Sequence, residues 1–429
     1  MSSCNTAHGA LPGAGGTGNP RPAGGHATRE SLGARVLVCA LAGTVVLVLP
    51  PDVGPARAKT TKVAAPCKGS SNPTFFSSNH RLDETSKGRL LAIYDPHGNG
   101  QRLAWKNRRG RWRSRTRGKV RNGFFHSARS ADRPGSIVVG RDARGREHAW
   151  VVWAADDFTG DRLPLLMRRL TSLNAPRGPR VGPLVKLAPT GSGHARPDLA
   201  LKSGRIAVVW VDRTANGSFD LTVGWITTLG KPRPDLVSQR VLLTTRGSAP
   251  AATVVATPNG VRVVATNGRR SMWLFSHDEE DPLTRWRVGR RAAVPRGGKP
   301  TATVFQRKRI VAAASGRRGG RMRVVAFRDR RRPKVLLRLR GHTQPSLTRV
   351  GRKVVLVMVR QRDGRVVSRT HRGRRGWTKR DRVEVRRTRN RRLAWPSTMR
   401  RGSPLRFIVQ GAHCRIRSTS NGVLAVSRR

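Results

Sequence analysis

The sequence contains four short stretches that are dominated by arginine. They are KNRRGRWRSRTRGKVR (106–121), FRDRRRPK (327–334), THRGRRGWTKRDR (370–382) and RRTRNRR (386–392). Clustered guanidinium groups form paired hydrogen bonds with phosphate, sulfate and carboxylate groups, and their binding to polyanions weakens steeply with added salt. The stretches therefore predict an anion-binding surface. The candidate binding arginines are Arg108, Arg109, Arg330, Arg331, Arg374, Arg375, Arg391 and Arg392.

Two tryptophans lie inside these arginine-rich stretches. Trp112 and Trp377 are predicted to stack on nucleobases or sugar rings. The sequence contains no nucleic-acid-binding motif, so we expect no sequence-specific recognition of nucleic acid. The predicted partners are wall teichoic acid, acidic polysaccharide, extracellular DNA or the anionic headgroups of a membrane surface. The alternative is a solvated, self-repelling surface without a specific ligand.

Acidic residues are concentrated in two loops that follow apolar strands. The loops WAADDFTGD and WVDRTANGSFD supply Asp156, Asp157, Asp161, Asp212, Asn216 and Asp220. Oxygen ligands at short spacing suit Ca²⁺, and the candidate ligands are Asp156, Asp157 and Asp161. The alternative is that these side chains form turns by accepting backbone N–H groups. Apart from this calcium site, we predict no cofactor.

The same two loops contain the candidates for hydrolytic chemistry. Glycoside hydrolysis requires two facing carboxyl groups, one of them with a raised pKa. Asp157 and Asp212 are the candidate pair, because equivalent loops of neighbouring repeat units approach each other. No nucleophile, base and acid set can be identified from the sequence. A third acidic segment, HDEEDP (277–282), is predicted to be a solvated loop that pairs with nearby arginines.

Positive charge increases strongly along the chain. The 429 residues include 87 Lys and Arg against 23 Asp and Glu, which gives a formal net charge of +64. Residues 285–429 contain 45 basic and 4 acidic residues, residues 150–284 contain 17 and 11, and residues 59–149 contain 21 and 6. A net charge of this size lies far outside the usual range for a soluble domain. We expect it to require an anionic partner or an environment that tolerates it.

The first 58 residues have the pattern of a leader segment. Residues 1–30 are rich in Gly, Ala and Pro and are predicted to be disordered, and an apolar run follows from Val36 to Leu49. This run is short for a bilayer span, and the small residues around Ala58 suit a cleavage site. We predict a signal peptide that is cleaved after Ala58, and a secreted or cell-surface protein. An uncleaved N-terminal anchor is the alternative.

A unit that begins with proline recurs along the rest of the chain. Stretches such as RPDLALKSGRIAVVWVD and QPSLTRVGRKVVLVMVR share the proline, a short turn and a following apolar strand. The anchoring prolines are Pro134, Pro197, Pro250, Pro300, Pro345 and Pro396, which are spaced by 63, 53, 50, 45 and 51 residues. A weaker copy begins near Pro73. Repeats of this length are typical of solenoids and propellers.

Each unit has the pattern of four short strands. In the Pro197 copy the predicted strands are Asp198–Leu201, Arg205–Val211, Phe219–Ile226 and Gln239–Leu243. Such units, with little helical periodicity, predict an all-β fold: a six- or seven-bladed β-propeller of four-stranded antiparallel blades over residues 59–429. The tryptophans predicted to pack between blades are Trp153, Trp210, Trp225, Trp273 and Trp286.

Cleavage after Ala58 leaves one cysteine near each end of the mature chain. Cys67 precedes the first unit and Cys414 lies in the last. A protein outside the cytoplasm favours a disulfide, which would join the first and last blades. Two unrelated buried thiols are the alternative. We predict that the mature protein is a monomer.

The proline-anchored units resemble those of the sialidase-like (BNR or Asp-box) propeller superfamily, in the form of a secreted bacterial member with degenerate motifs. The resemblance covers roughly residues 70–429 and implies the propeller fold. The family's Ser-x-Asp-x-Gly-x-x-Trp box is incomplete here, because SRTHRGRRGW (368–377) has no aspartate. The single tyrosine, Tyr94, has no matching glutamate, so the family's catalytic pair does not carry over.

The sequence favours a secreted, non-catalytic binding protein for anionic polymers at the cell surface. The alternative from another functional class is a sialidase-like glycoside hydrolase or lyase that acts on extracellular glycans, and a pocket with paired carboxyl groups would indicate it. A scaffold for protein partners is a third hypothesis, which an exposed apolar patch would indicate.

Overall fold

Antiparallel sheets account for nearly all regular structure. The computed structural model describes residues 59–62, 80–94, 102–107, 109–114, 135–154, 163–190, 196–306, 309–316, 320–328, 331–385, 396–399, 401–402, 404–410 and 423–428. These residues belong to one compact unit, Gly54–Arg429. Their strands form seven sheets, and the helical structure among them is a single 3-10 turn, Gly373–Arg375. Within this part of the chain no helix has the length and apolarity needed to cross a membrane.

Six blades are built from strands that follow one another in the chain. Blade 1 contains β2 (Leu82–Glu84), β3 (Leu90–Tyr94), β4 (Arg102–Lys106) and β5 (Trp112–Ser114). Blade 2 contains β6 (Ser136–Arg141), β7 (Glu147–Ala154), β8 (Leu163–Thr171) and β9 (Arg180–Thr190). Blade 3 contains β10 (Asp198–Lys202), β11 (Arg205–Arg213), β12 (Phe219–Ile226) and β13 (Leu236–Thr245). Blade 4 contains β14 (Ala251–Thr257), β15 (Gly260–Thr266), β16 (Ser271–Asp278), β17 (Arg287–Val288) and β18 (Ala292–Ala293). Blade 5 contains β19 (Pro300–Phe305), β20 (Arg309–Ser315), β21 (Met322–Phe327) and β22 (Lys334–Leu339). Blade 6 contains β23 (His342–Val350), β24 (Lys353–Arg360), β25 (Val366–His371) and β26 (Arg382–Val385).

The seventh sheet combines the two ends of the described chain. Its strands, from the inside outward, are β27 (Ser397–Thr398), β29 (Leu405–Gln410), β30 (Val423–Arg428) and β1 (Lys59–Lys62). The short strand β28 (Arg401–Gly402) pairs in parallel with β23. The outer position of β1 was not predicted, because the sequence KTTK has no apolar residue and so no strand pattern to detect.

The all-β propeller predicted from the repeats is confirmed. The Pro197 unit forms blade 3, and three of its four strands lie within two residues of the predicted bounds. The outer strand is longer than predicted, at Leu236–Thr245. Its side chains are mostly half-buried or exposed, so its apolar pattern is weaker than that of the inner strands.

Apolar side chains fill the interfaces between neighbouring blades. The second strand of each blade is covered on both faces, which explains why its sequence is a continuous apolar run rather than an alternating one. In β7, Trp150 packs toward blade 3 and Trp153 packs toward blade 1, and both are fully buried. The predicted core role of the tryptophans Trp153, Trp210, Trp225 and Trp286 is confirmed.

Contacts between blade 1 and blade 7 close the ring. Leu82 and Tyr94 of blade 1 pack in one apolar cluster with Ile408 of blade 7 and with Met399, which directly follows β27. The side chains of Arg406 and Glu84 form an ion pair across the same interface. The backbone N–H of Arg81 also donates to Ser397 Oγ at 3.2 Å. Every blade therefore has a neighbour on each side.

Short polar side chains link the first strands, which lie closest to the ring axis. The backbone N–H of Leu347 donates to Thr301 Oγ1 at 3.0 Å, and that of Thr398 donates to Ser346 Oγ at 3.0 Å. Thr301, Ser346 and Ser397 each directly follow a repeat proline. The residue after the proline thus connects its blade to a neighbouring one.

Asp198 makes the most extensive of these links. It is the first residue of β10 and is fully buried. Its carboxylate lies 3.0 Å from His80 Nδ1 and accepts hydrogen bonds from Ser136 Oγ and Thr253 Oγ1, each at 2.8 Å. The backbone N–H of Val254 donates to it at 3.0 Å. One carboxylate of blade 3 therefore contacts segments of blades 1, 2 and 4.

The Ser136, His80 and Asp198 side chains do not form a catalytic triad. The hydroxyl of Ser136 lies near the carboxylate and 3.0 Å from the backbone oxygen of His80, and the imidazole contacts the carboxylate instead. In a triad the imidazole must accept the serine proton. All three side chains are also buried, which fits a structural role.

We expect Asp198→Ala to lower the free energy of unfolding by about 3–5 kcal/mol, because it leaves several buried donors without their acceptor. Urea unfolding followed by tryptophan fluorescence measures the change. Asp220→Ala is the control, since Asp220 is half-buried and accepts one hydrogen bond from Thr244 Oγ1 at 2.7 Å. An Asp198→Ala variant as stable as this control would contradict the role assigned to Asp198.

Candidate anion-binding site

Described residues from three of the four arginine-rich stretches lie in equivalent turns of their blades. Because strand direction alternates within a blade, the turns between third and fourth strands all lie at one end of the ring. Blades 1, 5 and 6 carry arginine-rich sequence in this turn. We call seven of the exposed cations in these turns the basic face: Arg109, Arg111, Arg331, Arg374, Arg375, Lys379 and Arg380. With blade 7 between blades 6 and 1, they occupy one side of the ring.

The remaining predicted arginines could not be placed in this way. Arg108, Arg330, Arg391 and Arg392 lie outside the described residues, as does the whole of the stretch 386–392. The same holds for Asp156, Asp157 and Asp161, so the calcium site and the Asp157–Asp212 pair remain predictions. Among the residues that the structure describes, no group of three or more His, Cys, Asp or Glu side chains could hold a metal ion.

The two tryptophans of the arginine-rich stretches are partly covered by the core. Trp377 is half-buried against the cluster between blades 5 and 6, and its ring centre lies 5.3 Å from that of His371. Trp112 is half-buried against the cluster between blades 7 and 1. Each indole ring therefore packs beneath its basic turn, and only part of the ring is accessible to a ligand.

The described acidic loop uses its side chains locally. Asn216 Oδ1 accepts the backbone N–H of Ser218 at 3.1 Å, and Asp212 Oδ1 accepts that of Arg213 at 3.0 Å. Asp220 accepts the hydroxyl of Thr244. The contacts of Asp212 and Asn216 are those expected of turn-forming side chains, the alternative to metal binding, whereas that of Asp220 joins paired residues of β12 and β13.

The acidic segment of blade 4 is paired with arginines, as predicted. Asp278 contacts Arg262 at 2.7 Å and also pairs with Arg287, while Asp281 contacts Arg287 at 2.7 Å. Burial opposes ionisation of Asp278, but its contacts with Arg262 and Arg287 together outweigh this and lower its pKa. The prediction of a fully solvated loop is wrong for Asp281, which is buried beneath these guanidinium groups. This acidic turn lies at the same end of the ring as the basic face, on blade 4.

Asp381 fixes the basic turn of blade 6. Its carboxylate lies 2.8 Å from His342 Nε2 and accepts a hydrogen bond from Arg369 Nε at 2.7 Å. Burial opposes ionisation of this group, but the contacts with His342 and Arg369 outweigh it and lower the pKa of Asp381 to about 2. The end of the turn is therefore tied to β23 and β25, so that Arg374 and Arg375 project from a fixed base.

A groove of about 550 Å³ lies between the outer parts of blades 4 and 5. Four arginines line it: Arg290, Arg291, Arg323 and Arg332. The guanidinium carbon of Arg291 lies 6.0 Å from the ring centre of Trp273, which also lines the groove. Small apolar side chains make up much of the rest of the lining.

A break in the outer strand of blade 4 creates this groove. Both β17 and β18 pair with β16, and the segment 289–291 lies between them without strand pairing. The N–H of Gly289 donates to the oxygen of Leu274 at 2.7 Å, and a Cβ at Gly289 would lie only 2.9 Å from that oxygen. Glycine thus permits the close approach that turns Arg290 and Arg291 away from the sheet.

The groove residues were largely missed by sequence reasoning. Arg332 belongs to the stretch 327–334, but Arg290 and Arg291 stand in RVGRR, which contains too few arginines to form a cluster. Trp273 was assigned to the core, and it does pack partly against the cluster between blades 3 and 4. The available signal was Gly289 between the short, largely apolar runs WRV and AAV, because a glycine inside a strand is typical of a bulge.

Comparisons with known proteins support the fold. No protein-family model matches the sequence, and no curated protein matches it. The fold is similar to that of a polysaccharide lyase, at 8% identity over 87% of this chain and 99% of the lyase, with a TM-score of 0.50. Other matches are a fucose-specific lectin from Aleuria aurantia (13% identity, 75% and 100% coverage, TM-score 0.47) and a Hadza microbial sialidase (11%, 80% and 73%, 0.45). At 8% identity, the match to the lyase shows a shared propeller fold alone.

Loss of the Asp381 carboxylate should flatten the acid dependence of stability. Its pKa is near 3.8 without these contacts and about 2 in the folded protein. Because the unfolded chain takes up the proton first, the stabilisation is complete above about pH 4 and is lost as the pH falls through about 2. Urea unfolding at a series of pH values should show that wild type loses about 2 kcal/mol more than Asp381→Asn across this window. Parallel profiles of stability against pH for wild type and Asp381→Asn would contradict the contacts assigned to Asp381. Asp220→Asn is the control.

Proposed function

We propose that this propeller is a non-catalytic binding protein for anionic polymers at the cell surface and that the basic face is its contact surface. The observation that supports this most directly is the position of the arginine-rich turns. Stretches separated by more than 200 residues in the chain lie at the same end of one side of the ring. The repeats thereby turn scattered sequence clusters into one field of positive charge.

The nearby carboxylates do not neutralise the basic face. The described residues after 285 contain three acidic side chains, Asp363, Asp381 and Glu384. Asp363 pairs with Arg360 and Arg365, Asp381 contacts His342 and Arg369, and Glu384 accepts a hydrogen bond from Ser368 at 2.6 Å. These carboxylates are committed to the packing of blade 6. The exposed cations of the turns therefore remain in excess.

A polymer suits this arrangement better than a small anion. The cations are exposed on separate turns, whereas a small-molecule site requires groups that converge in a concave pocket. A flexible polyanion can contact several turns at once, and each ion pair releases counterions from the polymer. Binding of this kind is strong at low salt and weak at high salt.

Retention on a heparin column across a salt gradient tests the proposal. We expect Arg374→Ser/Arg375→Ser to elute at lower salt than wild type, because two contacts of the basic face are removed. In solution, the slope of log affinity against log salt concentration should fall by on the order of one per lost ion pair.

The matched control is Lys231→Ser/Arg233→Ser. These residues are exposed in the equivalent turn of blade 3, so the change in net charge is the same but lies away from the basic face. Equal shifts for the two double variants would show that only net charge matters. Elution of the wild type at physiological salt or below would contradict polyanion binding, and a screen of glycan substrates would then test the hydrolase or lyase alternative.

Secretion and a disulfide complete the proposal. The strand β1 begins at Lys59, so cleavage after Ala58 would remove no residue that pairs with β30. Cys67 and Cys414 lie outside the described residues, but Cys67 follows β1 in the chain and Cys414 lies between β29 and β30, the other strands of blade 7. A bond between them would secure the strand that joins the two ends of the chain.

We expect the exported protein to begin at Lys59 and to contain a peptide in which Cys67 is linked to Cys414. Intact-mass measurement and a non-reducing digest identify both. Cys67→Ser/Cys414→Ser should lose up to about 5 kcal/mol of stability on the chain-entropy model, and reductant should then have no further effect. Free thiols in the exported protein would contradict the disulfide, and an intact leader would favour the membrane-anchored alternative.

A further inference from the structure

The groove between blades 4 and 5 differs from the basic face in both shape and chemistry. It is a concave site of about 550 Å³, which falls within the usual range for small-molecule sites. Four arginines line it, and none of the described residues that line it is acidic. Like charges that line one groove repel one another unless an anion lies between them.

Contacts within the protein orient part of this cationic lining. Arg323 is half-buried and donates from Nη1 to the backbone oxygen of Ala293 at 3.0 Å. Arg291 lies over the ring of Trp273 at 6.0 Å, a distance at which a cation is attracted to the aromatic face. These guanidinium groups are therefore positioned before any ligand arrives, which lowers the entropic cost of binding.

The rest of the lining is apolar. Trp273, Ala292, Pro333 and Val335 contribute carbon surface beside the guanidinium groups. A sugar ring has apolar C–H faces that pack on such a surface, while its carboxylate or sulfate substituents accept hydrogen bonds from arginine. The groove thus offers both types of contact that an acidic sugar requires.

Nucleobases match this lining less well. The charged side chains of the groove are all arginines, which donate hydrogen bonds and cannot accept them. The edges of adenine, guanine and cytosine present amino groups that need acceptors. An acidic sugar presents hydrogen-bond acceptors to the arginines, and it has less need of acceptors from the groove.

We propose that this groove is a defined subsite for a short segment of an acidic polysaccharide, with Arg290 and Arg291 as its main anionic contacts. The inference rests on the proposed function and identifies the class of polymer. Carboxylate or sulfate groups of adjoining sugars pair with the arginines of the two blades, and a sugar ring packs against the carbon surface near Trp273. The basic face then holds the continuing chain.

Calorimetric titration with a heparin-derived tetrasaccharide tests the subsite. A tetrasaccharide is too short to span several turns of the basic face, so its binding reports mainly on the groove. We expect Arg290→Ser/Arg291→Ser to weaken its affinity by about tenfold or more, since charge-assisted hydrogen bonds to arginine are lost. Both residues are exposed in an unpaired segment, so the fold should be unaffected, which circular dichroism checks.

The matched control is Arg296→Ser/Arg338→Ser. These arginines are exposed, one in the segment after β18 and one on β22, and neither lines the groove. We expect this variant to bind the tetrasaccharide with an affinity within about twofold of the wild type. An equal loss in both double variants would overturn the subsite, because it would show a general charge effect.

Two further ligands test the chemical class. A neutral cellulose tetrasaccharide should not bind, and a deoxycytidine tetranucleotide, whose bases carry amino groups, should bind at least about tenfold more weakly than the acidic tetrasaccharide. Tetranucleotide binding of equal strength would overturn the assignment to acidic sugars. If long heparin is retained but the tetrasaccharide does not bind, only the subsite fails; if long heparin is not retained, the proposed function fails as well.

Discussion

Each blade of this propeller buries both faces of its inner strands only because the ring is closed. A single four-stranded sheet of this sequence would expose continuous apolar runs such as those of β7 and β24. Closure depends on the interface between blades 1 and 7, which contains an apolar cluster and the Arg406–Glu84 ion pair, and on the pairing of β1 with β30 within blade 7. The burial of apolar surface in every other blade therefore depends on this interface.

Hydrogen bonds near the ring axis fix the alignment of neighbouring blades, which apolar packing alone does not. Apolar contact between two sheets tolerates small sliding, whereas a carboxylate with several fixed donors does not. Asp198 is the clearest case, since its partners belong to three other blades. The first strands are thereby held in register with one another, and the turns at the end of the ring are held with them.

The rigid ring explains how the chain carries so large a charge. Acidic side chains of blades 4 and 6 are used to neutralise specific arginines within the packing, as Asp278 and Asp381 do. The surplus arginines are displayed on exposed turns, where water screens their repulsion. Among the described residues, paired charge thus lies within the blades and surplus positive charge lies on the exposed turns.

The sequence predicted the repeats well because a proline, a turn and a buried strand recur together. It predicted the strands of the Pro197 unit to within two residues for three of four. It could not predict β1, whose four polar residues become a strand only when β30 offers an unpaired edge. The arginine stretches were recognised, but their common position required the blade topology.

The groove was beyond sequence reasoning for a related reason. Arg290 and Arg291 are separated from Arg323 and Arg332 by more than 30 residues, and only the stacking of blade 4 on blade 5 brings them together. The role of Asp198 was likewise missed, because the sequence showed only that this residue begins a strand. Its role depends on donors that lie 55 to 118 residues away in the chain.

Arginine footprinting with heparin bound tests the central claim most directly. The protein would be treated with an arginine-selective dicarbonyl reagent with and without heparin, and the modified sites would be located by mass spectrometry. The account predicts that heparin protects Arg331, Arg374 and Arg375, while Arg233 in the equivalent turn of blade 3 reacts equally in both samples. Uniform protection of all exposed arginines, or protection centred on blade 3, would contradict it.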